Sequence, residues 1–197
     1  MCIFTNKGWL TPLEPAHAEL LFELIHNSRS HLHPWLPWLR RIHSLQDTAV
    51  FIANLIEQRG PQFAITVDHQ LCGGVGFYCL DRGEKVATLG YWLGSEFTGQ
   101  GIMLDAVRHL CQYGFNHLQL QKVEIRCATD NWESRKIPER LGFYYEGIQH
   151  KAEWLADRYV DHAVYSVLKE EFMLAFISDT PSPEDAEQRL REYQGIA

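Results

Sequence analysis

The run Val86–Leu93, VATLGYWL, leads into Gly99-Gln100-Gly101 and then into a long amphipathic pattern. No other stretch narrows the choice of folds as far. Strand, glycine turn and helix start together aim backbone N–H groups at one point, where the helix dipole also favours negative charge. Glycine suits such a turn because a Cβ would hold the backbone away from a phosphate, and because the turn can require positive φ. The spacing therefore predicts a phosphate-bearing ligand on this turn, with an ordinary strand-to-helix connection as the alternative. Two phosphate signatures are excluded. No lysine follows Gly101, as a nucleotide P-loop requires, and Leu104 stands where a dinucleotide fingerprint needs its third glycine.

The rest of the chain can be ordered around that turn. Trp9–Leu13 reads as a short first strand, and Glu14-Pro15 opens a helix whose apolar face is Leu20, Leu21, Leu24 and Ile25. Asn27-Ser28 ends it. Two prolines in four residues forbid a regular helix in His31–Leu39, where Trp35 and Trp38 offer one wall of a ligand pocket or simple core packing. His31 and His33 have metal-like spacing, but no third ligand accompanies them, so no metal is expected. Ser44 to Asp47 resembles a capping box ahead of a second helix. Gln62–Val67, Leu71–Leu80 and Lys85–Leu93 read as strands joined by hairpin-length turns, hence antiparallel. Gly73, Gly74 and Gly76 in the middle strand read as bulge or close-packing glycines rather than as a site.

Beyond the turn, Met103, Val107, Leu110 and Gly114 line one helical face, with Asp105, Arg108, His109 and Gln112 opposite. Lys122–Thr129 alternates as a strand does, and strand, helix and strand at this spacing suggest a parallel crossover. Asn131 is placed to cap a short helix that Gly142 ends, and Pro138 within it predicts a kink or a broken turn. Phe143–Trp154 and Arg158–Leu168 form a last hairpin about Ala156-Asp157. Residues 178–197 read as a polar tail with a charged helix over Glu184–Tyr193, apart from a single domain of residues 1–177.

Composition sets outer limits. At 197 residues, 46% apolar and 22% charged, the chain reads as an ordinary globular protein. Its formal charge of −7 argues against a nucleic-acid surface and is compatible with a cationic acceptor. Nowhere is there an apolar run of signal or transmembrane length, so no membrane association is expected. Five cysteines, an odd number without a C-x-x-C pair, point to a reducing, cytoplasmic setting.

Three segments in order, GYWLGSEFTGQGIM, RCATDNWESRKIPERLGF and KAEWLADRYVDHAVYSVL, resemble the GNAT acetyltransferase superfamily over about residues 8–172. Within it they are similar to the branch of bacterial ribosomal-protein N-terminal serine and alanine acetyltransferases. The resemblance implies an α/β domain (α+β by some schemes), with a central mixed, twisted sheet of about seven strands flanked by helices. The sheet should splay between its fourth and fifth strands. It implies acetyl-CoA as donor, with direct transfer to a primary amine. The pyrophosphate would lie on Phe97, Thr98, Gly99, Gln100, Gly101 and Ile102, the pantetheine arm along Trp92 and Leu93, and Asn131 and Ser134 across the cleft. Glu96 departs from the superfamily's Gln or Arg at the head of the turn, which puts in doubt a side-chain contact there but not the backbone cradle.

The chemistry asks for three groups. A backbone N–H near Leu93 would meet the oxyanion, an acid would meet the departing thiolate, and a base would take the amine proton. An N-terminal amine, with pKa near ~8, asks less of that base than a lysine near ~10.4. By the resemblance Ser134 is the acid and Glu153 the base, with His150 and Glu146 as nearby substitutes for it. Taken alone, Ser134 is a first-turn serine and Glu153 an exposed strand carboxylate. Trp35, Trp38 and Trp154 would shape the acceptor site. Three readings follow: an N-acetyltransferase for protein N-termini, one for small amines (antibiotics, polyamines or amino acids), and a non-catalytic CoA-binding module. Analogy with the branch points to a homodimer.

Overall fold

The computed structural model describes residues 2–58, 60–155 and 157–176. The predicted tail helix over Glu184–Tyr193 and residue Ala156 of the last turn lie outside them. The strands are β1 Ile3–Phe4, β2 Trp9–Pro12, β3 Gln62–Val67, β4 Gln70–Asp81, β5 Val86–Leu93, β6 Lys122–Ala128, β7 Tyr144–Leu155 and β8 Arg158–Leu168. The helices are α1 Ala18–Asn27, α2 Arg29–Leu32, α3 Leu45–Gln58, α4 Ile102–His117, α5 Trp132–Arg140 and α6 Lys169–Phe176. Among the described residues the sheet thus has eight strands, in the order β1-β2-β3-β4-β5-β6-β8-β7. The strand beyond the expected seven is β1, two residues paired to β2 through Ile3↔Leu10 and Phe4↔Trp9, too short to leave a pattern.

All neighbours run antiparallel except β5 and β6. That parallel pair holds only from Val86↔Lys122 to Leu89↔Ile125. Past it the strands part, while β5 stays paired to β4 as far as Gly73↔Leu93. The expected splay is therefore present. Gly73 permits the tight β4–β5 contact beside it, since a Cβ there would meet the Trp92 carbonyl oxygen at 2.2 Å.

Alternation along β5 sorts its side chains. Ala87 and Leu89 join the core that α4 covers, with Tyr91 and Leu93 packed at its margin. Trp92, on the other face, packs with α1 and α3 residues. The proline-rich segment after α2 folds as a 3-10 turn, Pro37–Arg41, as its prolines require. The Arg29 guanidinium holds it by donating to the Leu39 and Ile42 carbonyls, both at 2.8 Å. Ser44 and Asp47 make the expected reciprocal cap, Asp47 N to Ser44 Oγ and Ser44 N to Asp47 Oδ2.

Two expectations are corrected. Asp105 and His109 do not face outward; they are 7% and 3% exposed. The β1–β2 turn closes over them, and Asp105 accepts the Lys7 N–H at 2.9 Å and pairs with Arg108 at 2.8 Å. Burial opposes the charge on Asp105, but the hydrogen bond from His109, aided by Arg108 and Thr5, holds it well below the usual carboxylate range. Pro138, for its part, does not break α5, which runs unbroken from Trp132 to Arg140. Gly142, at φ 73°, ends the helix, with its N–H bonded to Glu139 and that of Phe143 to Pro138.

Candidate active site

The glycine turn and the splay open into one cavity of about 1050 Å³. Gly99 and Gly101 have φ of 74° and 75°, so both occupy the left-handed region that glycine enters without penalty. Gly101 is the residue before α4, and the first intrahelical bond runs from Asp105 N to its carbonyl at 3.1 Å. The N–H groups of Ile102, Met103 and Leu104 therefore have no acceptor within the helix. No side chain caps them. Such a cluster of amides at a dipole's positive end fits a diphosphate.

The edge of β5 supplies the next part. Gly94 N donates to Cys72 O at 2.8 Å, on the β4 side. Alternation then turns the Trp92 amide toward β4, where it opposes Gly74, and turns the Tyr91 and Leu93 amides into the splay. The donors that point into the splay, where an extended ligand could pair, are thus those of Tyr91 and Leu93. The Trp92 side chain instead meets Trp38 edge-on, at 6.0 Å between centroids. Trp38 stacks on Phe51 at 4.4 Å, giving the cavity an aromatic wall.

Asn131 and Ser134 face β5 across the cleft. Asn131 Oδ1 accepts the Ser134 N–H at 3.1 Å, the expected cap. Glu153 also lines the cavity. A bulge in the last hairpin, between Gln149 and Glu153, slides it along β8 to stand opposite Val160. Asp161 secures the bulge by accepting the Lys151 N–H at 2.8 Å and pairing with His150 at 2.9 Å. That register puts Glu153 Oε2 3.3 Å from His162 Nε2.

The cavity brings together Ser134, Glu153, Leu93, Trp92, Phe97, Thr98, Gly99, Gly101, Ile102, Asn131, Trp35 and Trp38. It does not include Gln100 or Trp154. Gln100 folds back to donate to the Glu96 carbonyl at 2.9 Å. Trp154, next to Glu153 and so on the opposite face of β7, is 49% exposed and packs edge-on against Tyr159. His150 and Glu146 are not cavity residues either. Gly73, Gly74 and Gly76, read as packing glycines, do both jobs: they pack tightly and line the cavity.

Sequence reasoning missed Tyr91 and His162. For Tyr91 a signal existed, because residues two apart on a strand share a face and Leu93 was already in view. For His162 there was none, since its contact with Glu153 depends on the length of the bulge. Among the described residues no group of three or more His, Cys, Asp or Glu is placed to hold a metal ion. Among them too, no helix is long and apolar enough to cross a membrane.

Known proteins match this arrangement. The acetyltransferase (GNAT) domain family matches residues 9–144. YdaF of Bacillus subtilis (strain 168), assigned by name to the ribosomal N-acetyltransferases, is 34% identical over 165 residues, 81% of this chain and 90% of YdaF. The ribosomal-protein-serine acetyltransferase of Escherichia coli (strain K12) is 31% identical over 154 residues, 76% of this chain and 86% of that protein. Among solved structures, the microcin C7 self-immunity acetyltransferase MccE, in complex with acetyl-CoA and AMP, superposes with a TM-score of 0.77 at 28% identity. That match covers 83% of this chain and 93% of MccE. The chain belongs to the GNAT acetyltransferase family and is an N-acetyltransferase that uses acetyl-CoA.

Proposed function

We propose that the acceptor is the N-terminal amine of a protein, with Glu153 as base and Ser134 as acid. One observation carries this reading: a single cavity is lined by the amide cluster at Gly101, by the Glu153 carboxylate and by the Trp38–Phe51 aromatic wall. Acetyl-CoA supplies an activated thioester. The N–H groups of Tyr91 and Leu93 are turned to receive its strand-like arm and the developing negative charge on the acyl oxygen. Glu153, paired with His162, takes the proton that the amine nitrogen gives up as its bond to the acyl carbon forms. Ser134 Oγ–H faces the departing sulfur as the carbon–sulfur bond breaks. One proton leaves the nitrogen and one reaches the sulfur, so exchange with solvent restores both side chains. The naming of the E. coli relative for a ribosomal-protein serine supports a protein acceptor.

A second reading, a compact amine held against an aromatic surface, draws on the Trp38–Phe51 stack and Trp92. A panel of peptides with free N-terminal serine or alanine, run beside polyamines, aminoglycosides and amino acids, separates the two. The peptides should lead in kcat/KM; turnover of small amines alone would overturn the protein reading. Ser134→Ala and Glu153→Gln should each lower kcat about a hundredfold, and the Glu153→Gln deficit should shrink as pH rises and the amine deprotonates by itself.

A further inference from the structure

Pro138 has no N–H, and in an α-helix the group that would receive one is the carbonyl four residues earlier, that of Ser134. The proline ring also crowds that carbonyl outward. In this protein the Ser134 carbonyl accepts the Tyr91 hydroxyl at 2.8 Å. The same phenol oxygen receives the Ser134 Oγ–H at 3.3 Å. With Asn131 on its N–H, Ser134 has a partner at its N–H, its C=O and its side chain. Tyr91 stands on β5, one residue from Trp92 and two from Leu93, so the contact ties α5 to the strand where the donor arm lies. The helix is pinned on its other flank as well, where Arg135 Nε donates to Tyr165 Oη and Arg135 Nη1 to Thr129 O, both at 3.0 Å. Burial pushes the Tyr91 phenol well above its ordinary range, so it remains a neutral donor throughout the working pH range.

We propose that Tyr91 is a positioning residue for Ser134, and that Pro138 is what leaves the Ser134 carbonyl free for it. The proposal rests on reading Ser134 as the acid. A helix with an N–H at position 138 would bond that carbonyl internally and draw it toward the helix axis, weakening the hold of the tyrosine on the serine backbone. As arranged, the hydroxyl is presented from a fixed backbone and exchanges a weak bond to Tyr91 for one to sulfur.

Tyr91→Phe removes one oxygen and keeps the ring. It should lower kcat about tenfold while calorimetric affinity for acetyl-CoA stays within about twofold. In a Ser134→Ala background the same substitution should change kcat less than about twofold, because the two residues act as a unit. Without turnover, the wild type should bind CoA more tightly than desulfo-CoA, and that preference should shrink at least about threefold in Tyr91→Phe and in Ser134→Ala. Pro138→Ala should lower kcat while leaving the melting temperature unchanged or higher. Equal losses from Tyr91→Phe with and without Ser134, or a loss of acetyl-CoA affinity parallel to the loss of kcat, would reduce Tyr91 to a core residue. A Ser134→Ala variant with unaltered kcat would instead sink the acid assignment. A loss in Ser134→Ala with none in Tyr91→Phe or Pro138→Ala would sink the positioning role alone.

Discussion

Cys127 lies on the cavity wall within hydrogen-bond reach of Ser134, yet it is a poor nucleophile where it stands. It is 7% exposed, and burial pushes its thiol up to about 11. Only the thiolate attacks, so at pH 8 its reactive fraction lies on the order of a hundredfold below that of an ordinary cysteine. Timed alkylation with peptide mapping should find exposed Cys79 modified early and Cys127 long after it. Equal rates would mean that the cleft opens far wider than its packing suggests. The same burial keeps thiol chemistry from competing with direct transfer from the thioester to the amine.

At the scale of elements, the turn before α4 fits its task narrowly. A Cβ on Gly101 would need a left-handed backbone that costs about 1–2 kcal/mol in an ordinary residue. It would also press on Lys7 Cε at 3.3 Å. Gly101→Ala should therefore lower the melting temperature by a few degrees and weaken acetyl-CoA binding at least about tenfold, as calorimetry can measure. Unchanged affinity would mean the pyrophosphate seats elsewhere. This turn was legible in the sequence because glycine, helix start and alternating strand are all local signals. So were the Asn131 cap and the Gly142 stop. The partnership of Tyr91 with Ser134 was not, since residues 43 positions apart meet only through the crossover. Nor was the approach of Glu153 to His162, which depends on an irregular bulge, or the burial of Asp105 beneath the turn that follows the two-residue strand β1. Pro138 was read as a defect because the donor to the freed carbonyl, the Tyr91 hydroxyl, lies on another element.

For the whole molecule, acid should be the main threat. Asp47, Asp105, Glu124, Glu146 and Asp161 are all held below their ordinary range, the exposed ones chiefly by hydrogen bonds. A carboxylate lowered on folding contributes stability in full above its unfolded value, and loses it as pH falls through its folded value. Thermal melts should thus be flat from neutrality down to about pH 5 and decline below about pH 4. Buried Asp105 should dominate, so Asp105→Asn should destabilise by roughly 3 kcal/mol at pH 7 and blunt the acid limb. An acid limb of the wild-type slope in that variant would assign it to the surface carboxylates. The parallel contact that covers only Val86–Leu89 and Lys122–Ile125 also bears on solubility. It leaves two unpaired strand edges facing each other inside the protein, and such edges ordinarily recruit other sheets. Here they line a wedge that opens where the Leu89↔Ile125 pairing ends. Each edge can take up one extended chain by backbone pairing, so the wedge recognises a guest by its main chain before any side chain reads it.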